Sequence, residues 1–380
     1  MNSTSFRLLF VFAFLTLTGC KKTGKSESKS LDIVKNKIEY ATSLAIYKHQ
    51  GYSIVKVINP WPDAEKDFTY ILKQKNAVLP DSLQKYNTIE VPLKSIVVTS
   101  TTIIPYFELL GVEKRLAGFP NTNYISSKKT RKLIDNNTVK DVGQNEKLNI
   151  EMLIEMSPDL IVTFGIDNNN PTIDNLTKSG LKVFIQADWM EQSPLGKAEW
   201  IKLYGELFGK EKLAKSQFDA IVKNYKDAIA LVASKKPTAT VLYGTMYQDQ
   251  WYVAKANSWV AQFLKDAKAN YLWSNVAGTG SIGLSFEQVL EKAKTANYWI
   301  ATGPYKTVAE LNAINSHYSQ FDAFKSKQVY TFEGKIGATG GTIYYESAAS
   351  RPDLVLKDYI KIFHPELLPN YTFTFAQKLN

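Results

Sequence analysis

Leu148-Asn-Ile-Glu-Met-Leu-Ile-Glu-Met-Ser-Pro-Asp-Leu-Ile-Val-Thr163 and Leu284-Ser-Phe-Glu-Gln-Val-Leu-Glu-Lys-Ala-Lys-Thr-Ala-Asn-Tyr-Trp-Ile-Ala-Thr302 carry one pattern twice. Each has a polar cap, an apolar residue, a glutamate, a short amphipathic helix, and then a buried strand ending in threonine. Ser285 with Gln288 three residues on forms a capping box, and Asn149 is an acceptable N-cap. Glu151 and Glu287 therefore both fall at the second helical position, on the exposed end of a helix. A carboxylate there complements the helix dipole, worth some 0.3 to 1 kcal/mol. Two of them at equivalent positions also suit a partner with two matching cations, since such complementarity sets docking register and on-rate.

Working outward, short apolar strands alternate with helices on both sides of each copy, which predicts parallel α/β sheets. The first region runs from Ser95 to Ser100 through helices near Tyr106 to Leu110, Ser127 to Ile134 and Ile150 to Met156, to strands Leu160 to Phe164 and Lys182 to Gln186. The second runs from Thr240 to Gly244 through helices near Ser258 to Lys268 and Phe286 to Lys294, to strands Tyr298 to Thr302 and Gln328 to Phe332. Between them, apolar residues recur at Ala214, Phe218, Ile221, Val222, Tyr225, Ala228, Ile229 and Val232, and Pro237 follows. That periodicity predicts one long helix over Glu211 to Ser234, a strut joining two lobes. The fold class is thus α/β: two Rossmann-like lobes with parallel sheets joined by a single long helix. Ahead of them, Tyr52 to Ile58 and Phe68 to Leu72, separated by Asn59-Pro-Trp-Pro-Asp63, read as antiparallel strands of a β-rich accessory segment.

The N-terminus is of a different kind. Leu8 to Thr18 is an apolar run of 11 residues behind a single positive charge, Arg7. A spanning helix needs about 20 apolar residues, so this segment has the proportions of a signal peptide, residues 1–19. Leu17-Thr18-Gly19-Cys20 matches a lipobox, which makes Cys20, the only cysteine, the expected lipidation site and leaves none for a disulfide. Residues 20–30, rich in lysine and free of apolar side chains after Cys20, form the expected tether. The remaining boundaries are 31–91 for the accessory segment, 92–190 for the N-terminal lobe, 191–237 for connecting helices and 238–380 for the C-terminal lobe. The expected location is the cell envelope, facing the periplasm or the surface, lipid-anchored to a membrane.

The formal net charge of +10 falls to +9 without Arg7 and to about +6 without the tether. No basic cluster interleaved with aromatics appears, so nucleic acid is not expected as a partner. Enzyme chemistry finds little support. His49, His317 and His364 lie far apart, no His/Cys/Asp/Glu cluster has metal-ligand spacing, and no serine sits in a nucleophile elbow. Glu346 and Asp353 near Arg351 do not by themselves make a catalyst. Gly337-Ala-Thr-Gly-Gly-Thr342 lacks the lysine and spacing of a phosphate loop and reads as a loop at a cleft rim.

The combination of Pro92-Leu-Lys-Ser-Ile-Val-Val-Thr-Ser100, Leu109-Leu-Gly-Val112, Val142-Gly-Gln144, the Glu151 helix, Ser157-Pro-Asp-Leu160, Gly180-Leu-Lys-Val183 and Arg351-Pro-Asp-Leu-Val-Leu-Lys-Asp358 resembles the periplasmic binding proteins of iron-complex and vitamin B12 ABC importers. The resemblance covers roughly residues 93 to 366 and leaves out the accessory segment. It implies a monomeric lipoprotein that carries a chelated-iron compound, a ferric siderophore or haem-like molecule, to a membrane permease, with Glu151 and Glu287 where the family docks on permease arginines. A corrinoid as ligand, or a surface lipoprotein that scavenges its ligand without an importer, remain alternatives. No resident cofactor is implied.

In two-lobed α/β proteins the ligand lies outside the carboxyl ends of the strands. The candidate ligand-binding residues are therefore Thr101, Thr102, Tyr124, Asn145, Phe164, Trp189, Met246, Tyr247, Trp251, Ser281, Tyr305, Tyr344, Tyr345 and Arg351. Aromatics dominate, which suits a large planar or hydrophobic metal complex better than a bare ion. Arg351 is placed either to meet an anionic group of the ligand or, just before Pro352 at a helix start, to form a surface salt bridge.

Overall fold

Two five-stranded sheets, each built around a reversal of strand order, dominate the computed structural model, which describes residues 35–380. Cys20, the signal segment and the tether lie outside the described residues. The first-lobe sheet has the order Val183–Ile185, Leu160–Thr163, Ile96–Val98, Leu116–Phe119, Lys140–Asp141, all parallel. The second-lobe sheet has the order Asn270–Tyr271, Thr240–Tyr243, Tyr298–Ala301, Val329–Thr331, with Gln377–Lys378 added antiparallel at the edge. The central strands Ile96–Val98, Leu160–Thr163 and Val329–Thr331 are buried throughout, as strands covered by helices on both faces must be.

The duplicated pattern folds as its capping chemistry requires. Asn149 accepts from the Met152 N–H at 3.0 Å and starts the helix Ile150–Met156. Ser285 accepts from the Gln288 N–H while Gln288 Oε1 accepts from the Ser285 N–H, a complete capping box at the head of Phe286–Ala293. Glu151 and Glu287 are both exposed at the second helical position.

The strut runs Glu211–Leu231, about 31 Å at 1.5 Å per residue. It buries Ala214, Phe218, Ile221, Tyr225 and Ala228, a stripe at alternating spacings of four and three. Its first half serves the first lobe: Lys202 Nζ lies 4.7 Å from the Phe218 ring, and Tyr40 meets the same ring edge-on. Its second half serves the second lobe, where the Tyr225 hydroxyl donates to Asp266 at 2.7 Å and the Asn224 amide to Asp353 at 3.4 Å. Among the described residues the chain crosses between lobes once, through the segment that contains this helix.

The accessory segment departs from the sequence expectation in one respect. Leu44–Lys48, Tyr52–Val57 and Phe68–Gln74 are antiparallel, but a fourth strand, Asn87–Val91, joins parallel to the third. The intervening residues 75–86 are long enough to return the chain to the starting end, which parallel pairing demands. This sheet covers the edge of the first-lobe sheet. The Ile185 N–H donates to the Tyr70 hydroxyl at 3.0 Å, and the Tyr70 and Phe184 rings lie 4.3 Å apart. Two carboxylates then fasten the leading segment. Glu199, fully buried, accepts from the N–H groups of Glu39, Tyr40 and Ala41, and Glu191 accepts from those of Thr42 and Ser43.

Candidate functional site

Strand order reverses between Ile96–Val98 and Leu160–Thr163 in one lobe and between Thr240–Tyr243 and Tyr298–Ala301 in the other. A reversal leaves a crevice at the carboxyl ends of the two strands, because their connections leave to opposite faces of the sheet. Both crevices are closed in the same way. Thr99 Oγ1 donates to Thr163 Oγ1 at 3.1 Å, and the Thr245 and Thr302 hydroxyls are 2.8 Å apart. The threonine ending each copy of the duplicated pattern thus binds its counterpart from the neighbouring strand.

Three adjoining cavities fill the space at these crevices. One of about 400 Å³ is lined from the first lobe by residues including Thr102, Phe164, Gln186 and Trp189, and from the second by Trp259, Tyr344 and Tyr345. A second of about 380 Å³ belongs to the second lobe, and a third of about 340 Å³ runs between Tyr124, Asn145 and the Gly340–Thr342 loop. Tyr345 borders all three. Each is within the size range of small-molecule sites, and together they form an interlobe cleft.

Few charges enter it. Lys197 is buried, and its ammonium donates to the carbonyls of Asp188 and Trp189 at 2.9 and 3.3 Å while lying 5.2 Å from the Trp259 ring. Burial pushes its pKa down, against the pull of the Asp188 and Glu191 charges. Asp188 also accepts from the Thr102 hydroxyl at 3.0 Å. Gln186 hydrogen-bonds Tyr204 through Oε1, and its Nε2 is buried with no protein partner. An unmet buried amide costs about 1 to 3 kcal/mol, so a ligand acceptor at this point gains by meeting it. In the second lobe burial raises the pKa of Glu333, against the Tyr345 hydroxyl and the Gly303 N–H, which favour its carboxylate.

The lobes also touch directly. The Ser126 N–H donates to Glu346 at 2.5 Å, Ser126 Oγ to the Gly341 carbonyl at 2.9 Å, and Thr339 Oγ1 to the Asn123 carbonyl at 2.7 Å. At Gly341 a Cβ would run into the Tyr124 carbonyl, so only glycine admits this approach. The glycine-rich segment is therefore the second lobe's rim against the first.

A family model described as "Periplasmic binding protein" matches residues 96–335, more than half of the chain. The chain belongs to the periplasmic binding protein family. Among the relatives of this binding protein is an uncharacterized lipoprotein of Methanocaldococcus jannaschii, 25% identical over 82% of this chain and 76% of the relative. A second uncharacterized lipoprotein of that organism is 24% identical over 93% of this chain and 90% of its own. Two solved structures share the fold. A possible iron-binding, periplasmic solute-binding protein from Staphylococcus epidermidis has a TM-score of 0.58 at 20% identity, covering 72% of this chain and all of its own. A Helicobacter pylori protein solved with Ni(II) bound has a TM-score of 0.56 at 17% identity, covering 75% and 88%. Among the described residues of this binding protein, no group of three or more His, Cys, Asp or Glu side chains is arranged to hold a metal ion. Nor is any described helix long and apolar enough to cross a membrane.

Of the residues singled out from sequence, Thr101, Thr102, Tyr124, Asn145, Phe164, Trp189, Met246, Tyr247, Tyr305, Tyr344 and Tyr345 all border the cleft. Three do not. Trp251 is fully buried between Trp299, Tyr318 and Phe321, its Nε1 donating to the Tyr243 carbonyl. Its strand neighbour Tyr252 lines the cavity instead, because alternate strand residues face opposite sides. Ser281 does not follow a strand but begins one, Ser281–Leu284, opposite Ala254. Arg351 is bound bidentately to the buried Asp353 at 2.8 and 2.9 Å, which ties its guanidinium to the helix start, outside the cavity linings.

Lys197, Asp188, Gln186, Trp259 and Glu333 were not anticipated. Asp188 adjoins Trp189, and Glu333 follows a predicted strand, so position alone could have raised both. Lys197 sits in the helix Pro194–Glu199, which sequence placed among the connecting helices, and nothing local marks it. The histidines stay out of the cleft: His49 stacks on Tyr52, His317 lies by Phe286, and His364 ends the helix Pro352–Phe363 with its Nε2 on the Ala267 carbonyl.

Proposed function

We propose that this protein is a lipid-anchored substrate-binding protein of an ABC importer, which takes a chelated-iron compound between its lobes and presents it to a permease. The observation that carries the proposal is a cleft at the strand-order reversals of both sheets, walled by Phe164, Trp189, Trp259, Tyr344 and Tyr345 from the two sides. Flat aromatic walls give a large apolar contact area to a planar or hydrophobic complex. Cargo enters as a complete chelate, because the cleft supplies aromatic faces and isolated polar groups in place of a ligand cluster for a bare ion. Fold relatives point the same way: one is described as a possible iron-binding protein, and a Vibrio cholerae relative of TM-score 0.52 as a periplasmic haem-binding protein.

Glu151 and Glu287 are the proposed permease contacts, one exposed carboxylate per lobe at equivalent helix starts. The Glu287 carboxyl is held below the usual glutamate range by its own backbone N–H and the Ser285 hydroxyl, so it presents a negative charge at neutral pH. Anchoring through Cys20 completes the proposal, supported by the lipobox pattern and by relatives described as lipoproteins. Tryptophan-fluorescence titration of the soluble part with ferric siderophores, haem and cobalamin tests the cleft, since Trp189 and Trp259 line it. Quenching by at least one is expected, and none by any would refute the proposal. Reversing both charges, Glu151→Lys with Glu287→Lys, is expected to abolish uptake while leaving binding intact; unchanged uptake sinks the docking assignment.

A further inference from the structure

The second-lobe cavity differs in kind from the rest of the cleft. Six tyrosines border it: Tyr243, Tyr247, Tyr252, Tyr305, Tyr344 and Tyr345. Among the described residues that line it, Glu333 alone is charged. Lys335, two residues on, and Arg351 are engaged elsewhere. Lys335 donates to the Phe373 and Thr374 carbonyls at 2.6 and 2.9 Å, and Arg351 is held by Asp353. The Lys197 ammonium belongs to the first-lobe side, where Asp188 offsets it.

Glu333 is positioned for a ligand by its own loop. Thr331 Oγ1 donates to the Gly303 carbonyl at 2.8 Å and accepts from the Glu333 N–H at 3.0 Å, which fixes the turn after the strand Val329–Thr331. Gly303 sits at φ 126°, and a Cβ there would come within 2.5 Å of the Tyr305 ring. That glycine lets Tyr305 fold over the turn and complete the wall. The Tyr345 hydroxyl and the Gly303 N–H favour the carboxylate form of Glu333, two donors against about four lone-pair sites. Half-buried and with no salt bridge among the described residues, it is a negative charge in a cavity bordered by six electron-rich tyrosines. Both features attract a positive group, the carboxylate by Coulomb's law and the rings through their quadrupoles.

We infer that the second-lobe half of the cleft is a cation-accepting cage, in which Glu333 and its tyrosines select a chelate bearing a positively charged arm and disfavour anionic chelates. The inference rests on the proposed function, naming the charge class of the cargo and its orientation. The cationic arm lies toward Glu333, and the body of the complex lies against Trp189 and Trp259, with a ligand acceptor at Gln186.

The test uses matched ligands that differ only in the charge of one arm: a ferric trihydroxamate with a free terminal ammonium, the same chelate N-acetylated, and the same chelate N-succinylated. A parallel corrinoid series carries an aminoalkyl, an amide or a carboxylate arm. In fluorescence or calorimetric titration the wild-type protein is expected to bind the ammonium member at least about tenfold more tightly than the anionic member of its series, the scale of one desolvated cation–π or ion-pair contact. Glu333→Gln, of nearly the same shape, is expected to bring the two within about threefold by weakening the ammonium member. Equal or tighter binding of the anionic member by wild-type protein overturns the inference while leaving the chelate-binding function standing. An unchanged preference in Glu333→Gln overturns the role of Glu333. Binding of no member of either series while haem or another ferric siderophore quenches overturns the inference, and quenching by none of them overturns the chelate-binding reading itself. The wild-type comparison stands even if the variant fails to fold.

Discussion

Glu346 holds the two lobes together across 220 residues of sequence, and it does so as a carboxyl that resists ionisation. It is 3% exposed, and its pKa rises from 4.5 to about 7. Burial is the main cause and the nearby Glu108 charge adds to it, against the N–H groups of Ser126 and Ser127, which favour the carboxylate. Glu108 is drawn in because Ser127 Oγ donates to it. A rise of this size corresponds to about 3 kcal/mol, at roughly 1.4 kcal/mol per pH unit. The sign follows from the direction. A carboxyl raised in the folded state contributes stability that is fully present below pH 4.5 and is lost as pH climbs through about 7. Urea titrations of the wild type and Glu346→Gln at intervals from pH 4.5 to 8 isolate the contribution, because every other titrating group is shared. The wild-type minus variant difference is expected to fall by about 2 to 3 kcal/mol over that window. Hydrogen exchange of the Ser126 and Ser127 amides, corrected for the intrinsic pH effect, should lose protection over the same range in the wild type and hold steady in the variant. A difference curve that stays flat from pH 4.5 to 8 refutes the reasoning.

Truncating Trp251 to alanine empties a site packed by Trp299, Tyr318 and Phe321 and should cost about 3 to 5 kcal/mol of stability, measured by denaturant unfolding. Tyr252→Ala, one residue along, should leave stability within about 1 kcal/mol and show its effect in ligand titration. Tyr345→Ala removes the side chain common to all three cavities and should weaken binding of whichever chelate quenches the wild type by about tenfold or more. Glu199→Gln loses the charge that gathers three N–H groups and the Lys202 ammonium, so limited proteolysis near residues 36–43 should accelerate several-fold while ligand affinity holds.

What could be read from sequence was whatever is decided within a turn or two of chain. The caps at Asn149 and Ser285 depend on residues three positions away, and the strut depends on spacing within one helix, so the caps appear as expected and the strut begins as expected but ends at Leu231, three residues short of Ser234. Arg351 and Asp353 are two residues apart, and the salt bridge was visible as the alternative to a ligand contact. Trp251 against Tyr252 turned on strand parity, where a shift of one residue exchanges core for cavity. Lys197 and Glu346 were out of reach. Their surroundings arise when distant segments meet: Trp259 lies over one, and Ser126 donates to the other. A buried charge has no local signature, because its neighbours are chosen by the tertiary fold.

The carboxylates that gather residues 39–43 have a mechanical meaning as well. Five backbone N–H groups in succession, from Glu39 to Ser43, are held by Glu199 and Glu191, so tension on the leading segment is shared among parallel bonds and not taken one bond at a time. Glu199 ends the helix Pro194–Glu199, whose Lys197 reaches the cleft wall two residues earlier. A pull from the N-terminal side is therefore delivered to the framework of the cleft, with the accessory sheet acting as a brace along its flank. Strain applied to the leading segment would thus meet the same helix that carries the Lys197 wall of the cleft.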